Sequence, residues 1–181
     1  MNMKKTIYII LIISSIFKIN AQDTLSLNNK IFKINILNPG LSFEKSISNK
    51  NSLSLDANLA LVYTYSNNLG SRLLQTPFAR LQFRHYYNLE KRKRKGKDIS
   101  RNSGNYYGLN SSYYLNTIND KFYININDGF NLGLTWGFQK TYKNGLNINL
   151  NTGINYNFSQ NKIKKIVPLL SFTVGYIIFD E

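Results

Sequence analysis

The chain has 181 residues, 43% of them hydrophobic and 14% aromatic, which is enough for one domain. It contains no cysteine and a single histidine, His85, which excludes disulfides, a lipoprotein anchor and metal sites built on thiolates or on several imidazoles. The formal charge is +14 at pH 7. Much of that charge lies in one run at 90–98 rather than along a face, so we expect no nucleic-acid partner.

Residues 1–21, MNMKKTIYIILIISSIFKINA, have the pattern of a secretory signal peptide. Lys4 and Lys5 form a charged start, an apolar run follows, and Ala21 is a small residue suited to cleavage. A retained transmembrane helix needs about 20 apolar residues. Lys18 and Asn20 interrupt the run before that length is reached. We therefore expect export and a mature domain spanning residues 22–181.

The rest of the chain alternates apolar and polar residues with a period of two, which is typical of β-strands. The alternation predicts eight strands, at 30–37, 40–47, 52–65, 77–89, 104–116, 121–140, 144–158 and 167–179. The first two depend on Asn38-Pro39-Gly40, which is typical of a turn. If 30–47 were instead one bulged strand, there would be seven strands, and an eighth would have to come from 23–31.

The stretch GLNINLNTGINYNF at 145–158 places five asparagines on one parity, although asparagine is depleted in strands. Amide side chains can both donate and accept hydrogen bonds. A strand whose polar face lines a narrow interior would satisfy them through its neighbours. The alternative is an asparagine-rich strand that simply faces solvent.

Strand length and aromatic placement separate a membrane barrel from a soluble sandwich. The predicted strands are mostly about 10–14 residues long, close to the 9–11 residues of a tilted membrane-spanning strand. Tyrosine and tryptophan recur near their ends, and these residues favour the membrane–water interface. The fold class expected is therefore all-β, an eight-stranded antiparallel transmembrane β-barrel whose apolar face meets lipid.

Four charged residues, Glu44, Asp56, Arg80 and Arg84, fall on the polar parity of adjacent strands. An eight-stranded barrel has room inside for side chains only, and buried charges must pair. We therefore expect a lumenal charge cluster that plugs the barrel rather than an open pore. Glu44, Asp56 and Arg84 are expected at similar depth.

Two stretches resemble a known group of proteins: INILNPGLSFEKSI at 34–47 and RHYYNLEKRKRKGKDISRNSGNYYGL at 84–109. Together with the alternating strands, they resemble the small outer-membrane β-barrel proteins common in Bacteroidota and, more loosely, eight-stranded outer-membrane barrels in general. The resemblance implies location in the cell outer membrane and a single barrel. It brings no catalytic or binding residues with it.

The basic run is the one candidate binding feature, and its members are Lys91, Arg92, Lys93, Arg94, Lys95 and Lys97. It could bind an anionic periplasmic or envelope polymer, or lipid head groups, or it could be a solvated loop. The C-terminus of such barrels is periplasmic, and counting strands back from it places the run on the periplasmic side. The other expected partners are outer-membrane lipids, and we expect a monomer.

The sequence leaves three functions open. The first is a non-enzymatic integral outer-membrane protein with a structural or envelope-interaction role. The second is a lipocalin-like exported barrel that binds an apolar ligand. The third is an envelope lipid-modifying barrel enzyme, for which His85 is the only imidazole. The parity of His85 matches that of Phe83 and Tyr87 on the apolar face, so we expect no catalytic, cofactor or metal site.

Overall fold

A computed structural model describes residues 26–66, 70–115, 129–158 and 165–181. Its elements are, in chain order, β1 (Lys30–Leu37), β2 (Gly40–Ser46), β3 (Asn51–Ser66), β4 (Gly70–Tyr86), α1 (Leu89–Arg94), a short 3₁₀ turn (Ser100–Asn102), β5 (Gly104–Tyr114), β6 (Gly129–Thr141), β7 (Leu146–Asn157) and β8 (Ile166–Asp180). No helix in these ranges is long and apolar enough to cross a membrane.

The strands form one closed antiparallel ring in which each pairs with the next and β8 returns to β1. The predicted all-β class and the eight antiparallel strands are confirmed. Residues 30–47 form a hairpin rather than one bulged strand, because Lys30 pairs with Lys45 and Asn35 with Gly40. Asn38 in the turn has φ of 57°, a left-handed conformation that asparagine tolerates better than most residues. The seven-strand alternative is therefore wrong.

Some strand limits differ from the prediction. β4 begins at Gly70 rather than at 77, because the ladder with β3 continues to the pair Ser66–Gly70. Leu89, which the alternation predicts at the end of this strand, lies in α1, with 2% of its surface exposed. β6 begins at Gly129. The predicted single strand 121–140 therefore cannot be compared over 121–128, which lie outside the described residues.

The seam between β1 and β8 is less regular than the other pairings. Its register shifts twice, between Phe32 and Lys33 and between Asn35 and Leu37. Beyond the ladder, the backbone N–H of Lys30 donates to the carbonyl oxygen of Glu181 at 3.1 Å, and that of Glu181 donates to the carbonyl oxygen of Lys30 at 2.9 Å. The ring is thus completed by the last residues of the chain.

The barrel has two distinct ends. At one end, which we call the terminal end, β1 begins and β8 finishes, and the connections 47–50, 87–103 and 142–145 join neighbouring strands. The opposite end, which we call the far end, carries the β1–β2 turn at 38–39. Residues 91–97 therefore lie at the same end as the C-terminus.

Polarity is reversed relative to a soluble protein. Among the described residues, buried side chains are mostly polar or charged, while large apolar side chains point outward. Leu134 is 71% exposed and Leu170 is 78% exposed, whereas Gln82 and Gln139 are completely buried. The barrel interior is therefore a polar core, and the apolar surface surrounds it.

Candidate functional site

The five asparagines of β7 all point into the barrel. Asn147, Asn149, Asn151, Asn155 and Asn157 are each at most 5% exposed. Each side-chain amide hydrogen-bonds to a polar side chain on its own or another strand: Asn147 to Thr141 at 2.8 Å, Asn149 to Gln139 at 2.9 Å, Asn151 to Asn149 at 2.6 Å, Asn155 to Asn110 at 3.1 Å and Asn157 to Asn131 at 2.8 Å. These hydrogen bonds offset the poor strand propensity of asparagine, because each side chain fills part of the interior and pairs with a neighbouring polar group.

Glu44 of β2 is the centre of the interior network. Its carboxylate is completely buried and accepts hydrogen bonds from five side chains. The donors are Ser52 at 2.7 Å, Tyr86 at 2.8 Å, Arg84 at 2.9 Å, Asn102 at 2.9 Å and Gln139 at 3.3 Å. A carboxylate offers about four lone-pair sites, so its acceptor capacity is fully used. Glu44 therefore joins three strands and the 87–103 connection at one point.

Arg84 of β4 is the cation paired with Glu44. It is 1% exposed, its Nη1 lies 2.9 Å from Glu44 Oε2, and its Nε donates to Gln82 at 2.7 Å. The guanidinium also lies over the ring of Tyr106, 4.7 Å from the ring centre. Charge, hydrogen bonds and a cation–π contact together compensate for its removal from water.

Arg80 and Asp56 form a second buried pair. They face each other in the β3–β4 ladder, and Arg80 Nε lies 2.9 Å from Asp56 Oδ2. The structure thus brings all four charged residues of the expected cluster inside the barrel, as two ion pairs. In the sheet Glu44 pairs with Ser54 and Arg84 with Ser52, two and four residues before Asp56 on β3. The three residues expected at similar depth are therefore divided between the two ion pairs.

Hydrogen bonds cross the lumen between strands that are not neighbours. Gln139 of β6 donates to Glu44 of β2, which lies on the opposite side of the ring, and Lys33 of β1 donates to Gln139 at 3.2 Å. Gln82 of β4 donates to Thr135 of β6 at 3.0 Å. These direct contacts join strands on opposite sides of the lumen. The side-chain hydrogen bonds of the interior therefore hold the strands of the barrel wall together.

The 87–103 connection closes the terminal end. Leu89 packs with Leu27, Tyr86 and Tyr106, and Ile99 lies against this cluster. Asn102 reaches inward to Glu44 and is completely buried. The backbone N–H of Asn28 donates to Asn102 at 2.8 Å, and that of Arg101 donates to Asn28 at 2.7 Å. The segment before β1 therefore helps to hold the closure in place.

His85 lies on the outer parity of β4 and is partly buried. Its Nδ1 lies 2.7 Å from Asn51 Oδ1, and its ring centre is 5.0 Å from that of Tyr107. These contacts fix the ring against the outer wall near the terminal end.

The six basic residues of the run lie on α1 and the three positions after it, at the terminal end. All are exposed except Arg92, which is partly buried. The two acids that flank the run have other partners: Glu90 forms an ion pair with Lys50, and Asp98 accepts the backbone N–H of Ser100 at 2.8 Å. Partial burial raises the pKa of Asp98, but the hydrogen bonds from Ser100 lower it, and the net result is below its ordinary value. Within the described residues, neither acid forms an ion pair with a member of the run.

Several important interior residues were missed from the sequence. Tyr86, Tyr106, Asn102 and Lys33 all bond within the lumen. Gln139 does so too, and the alternation places it on the polar parity of its strand. The parity of Arg84 was sufficient to place Tyr86 inward. Alternation gives no direction for Asn102, because this residue lies outside the strands, in the 87–103 connection, and has a left-handed φ of 57°.

Within the described residues, no group of three or more His, Asp or Glu side chains is arranged to hold a metal ion. Comparisons of the chain with protein-family models, with curated proteins and with solved structures give no match.

The buried pair gives a stability prediction. Arg84→Met should lower the free energy of unfolding by about 3–5 kcal/mol, because the Glu44 carboxylate remains buried without its cation. Combining Arg84→Met with Glu44→Gln should recover part of that loss. Urea unfolding of the refolded protein measures both. Lys50→Ala, which removes an exposed ion pair with Glu90, is the control and should change stability by less than about 1 kcal/mol. Equal losses in the single and double variants would contradict the role of the pair.

Proposed function

We propose that the chain is an exported, non-enzymatic integral protein of the outer membrane, with a structural or envelope-interaction role. The observation that carries the proposal is the apolar outer wall around a filled polar interior. In water such a wall would leave many large apolar side chains exposed, far beyond the patches that soluble monomers tolerate. In a bilayer the same wall meets acyl chains, and the closed ring leaves no unpaired strand edge in lipid.

Strand length supports this placement. β3 to β8 have 11 to 17 residues, which equals or exceeds the about 9–11 needed for a tilted spanning strand. β1 and β2 are shorter, with 8 and 7 residues. The shortest part of the wall is therefore the hairpin at Asn38-Pro39.

Aromatic side chains at both ends of the wall also support the proposal. Near the terminal end, Tyr87 stacks on Tyr107 with ring centres 5.8 Å apart, and Trp136 donates its indole N–H to Tyr87 at 2.9 Å. Near the far end, Phe158 contacts Phe130 and Tyr156. Amphipathic rings at two levels match the two interfaces of a bilayer.

The polar lumen argues against a lipocalin-like carrier, because an apolar ligand would have to displace hydrogen-bonded amides and ion pairs. The contacts of His85 with Asn51 and Tyr107 anchor its ring and favour the non-enzymatic role over a lipid-modifying enzyme. Residues 1–21, which we propose to be the cleaved signal peptide, lie outside the described residues.

The proposal is tested by fractionation and gel mobility. The protein should be extracted from envelopes only with detergent, and unheated samples should migrate differently from boiled ones, because a closed barrel resists unfolding by detergent. Recovery in the soluble fraction without detergent would overturn the proposal and favour the carrier.

A second prediction uses the outer wall. Leu134→Arg should cost about 2–4 kcal/mol in vesicles, because Leu134 is exposed at the middle of β6. Leu115→Arg is the matched control: Leu115 is similarly exposed but follows the end of β5, where the cost should fall to about 0–1 kcal/mol. Urea titration of the vesicle-inserted variants gives both values. A barrel whose wall faces water would tolerate the two changes equally.

A third prediction concerns the side on which the basic run lies. With the termini in the periplasm, a cysteine at Ser100 should react with an impermeant maleimide only after the outer membrane is permeabilised. Lys165→Cys, at the far end, is the control and should react in intact cells. Labelling of Ser100→Cys in intact cells would place the run outside.

A further inference from the structure

A cavity lies beside the basic run, outside the lumen. It has a volume of about 540 Å³, within the usual range for small-molecule sites. Four basic residues of the run line one side: Lys91, Arg92, Lys95 and Lys97. Tyr87, Asn88, Asn105 and Phe138 line the other. Lys93 and Arg94 belong to the same run but do not line the cavity.

The cavity has an excess of positive charge. Among the described residues, no carboxylate forms an ion pair with the four cations: Glu90 pairs with Lys50, and the carboxylate of Asp98, which is electrostatically coupled to Arg92, accepts the backbone N–H of Ser100. Arg92 donates through Nη2 to the carbonyl oxygen of Asp98 at 2.9 Å, while its buried Nε has no hydrogen-bond partner in the described part of the chain. Such a site suits an anion that accepts several hydrogen bonds, and a phosphate is of that class.

The opposite side of the cavity belongs to the outer wall. Tyr87 follows β4 and is 47% exposed, and its hydroxyl oxygen accepts hydrogen bonds from Trp136 at 2.9 Å and from Asn105 at 3.3 Å. Further along the wall, Tyr107 pairs with Trp136 and then Leu109 pairs with Leu134, all with exposed side chains. An anion in the cavity would therefore lie at the terminal end of a continuous apolar column.

We propose that this cavity binds the phosphate head group of an anionic phospholipid, whose acyl chains lie along the column from Tyr107 and Trp136 to Leu109 and Leu134. The inference rests on the proposed function, since it requires the outer wall to be in a bilayer. A soluble phosphate or an acidic polymer would use the cations but not the column. A phospholipid would contact both the cations and the column, because its phosphate is joined to acyl chains just as the cavity adjoins the apolar column.

Trp136 is the only tryptophan in the chain, and its hydrogen bond to Tyr87 places it next to the cavity. The protein is inserted into phosphatidylcholine vesicles that contain phosphatidylglycerol, with bromine on the acyl chains of one lipid or the other. Quenching of Trp136 by each brominated lipid gives their relative binding at this position. We expect phosphatidylglycerol to be favoured about tenfold, and less so at high salt.

The variants separate the cavity from the charge of the run. Arg92→Gln with Lys95→Gln should reduce the preference to about twofold or less. Lys93→Gln with Arg94→Gln also removes one lysine and one arginine, but these lie outside the cavity, so most of the preference for phosphatidylglycerol should remain. Because Arg92 also contacts Asp98, Lys91→Gln with Lys95→Gln is a second cavity variant and should give the same loss. Equal effects in cavity and control variants, or no preference in the wild type, would overturn the proposal.

Two further arms identify the source of the anion. Inorganic phosphate and soluble dextran sulfate are added to vesicles of phosphatidylcholine alone. A change in Trp136 fluorescence that depends on Arg92 and Lys95, without a preference for phosphatidylglycerol, would assign the cavity to a soluble anion or a polymer and overturn the lipid. Failure of the wild type to insert, seen as loss of heat-modifiable mobility, would instead contradict the proposed function. A barrel that inserts into vesicles but shows no lipid preference would overturn the proposed lipid site and leave the proposed function standing.

Discussion

The interior of the barrel is organised around one buried carboxylate, that of Glu44, whose charge must be compensated because it has been removed from water. Glu44 lies inside a narrow ring, where an unpaired carboxylate would cost several kcal/mol. It is compensated by Arg84 and by four neutral donors that come from β3, β4, β6 and the 87–103 connection. Because these donors are far apart in sequence, the charge is fully satisfied only when β6 and the 87–103 connection have folded against β2 to β4. A polar core of this kind gives one arrangement a large advantage over its alternatives.

The same constraint explains the amide-rich interior. Asparagine and glutamine carry a donor and an acceptor on one short side chain, so each can extend a network without adding charge. Gln139 shows this most clearly: its oxygen accepts from Lys33, Arg84 and Asn149, and its nitrogen donates to Glu44 and to the carbonyl oxygen of Asn102. The interior thereby binds the wall together where a soluble barrel would use apolar packing.

Period-two alternation was sufficient to predict most of this arrangement, because one parity decides both the strand and the direction of its side chains. It was sufficient for the inward placement of Arg84 and the β7 asparagines. It also placed Tyr87 and Tyr107 on the apolar parity, where both are exposed, and their neighbours Tyr86 and Tyr106 are completely buried. It failed at Leu89, which it placed at the end of β4 and which is buried in α1, because the alternation does not mark where that strand ends. The cavity beside the basic run depends on how α1 folds against β4 to β6, which no local pattern encodes.

The β1–β8 seam has a consequence for synthesis of the chain. Its final pairing uses Asp180 and Glu181, which also form ion pairs with Arg101 at 3.0 Å and Lys30 at 2.7 Å. β1 is therefore synthesised long before β8, the strand that covers its outer edge. Until then β1 presents a row of unpaired N–H and C=O groups, a template for pairing with any extended chain nearby. A product that stops before residue 174 has none of these pairs and leaves that edge open for the lifetime of the molecule, so such products are a hazard to other extended chains around them and not merely inactive.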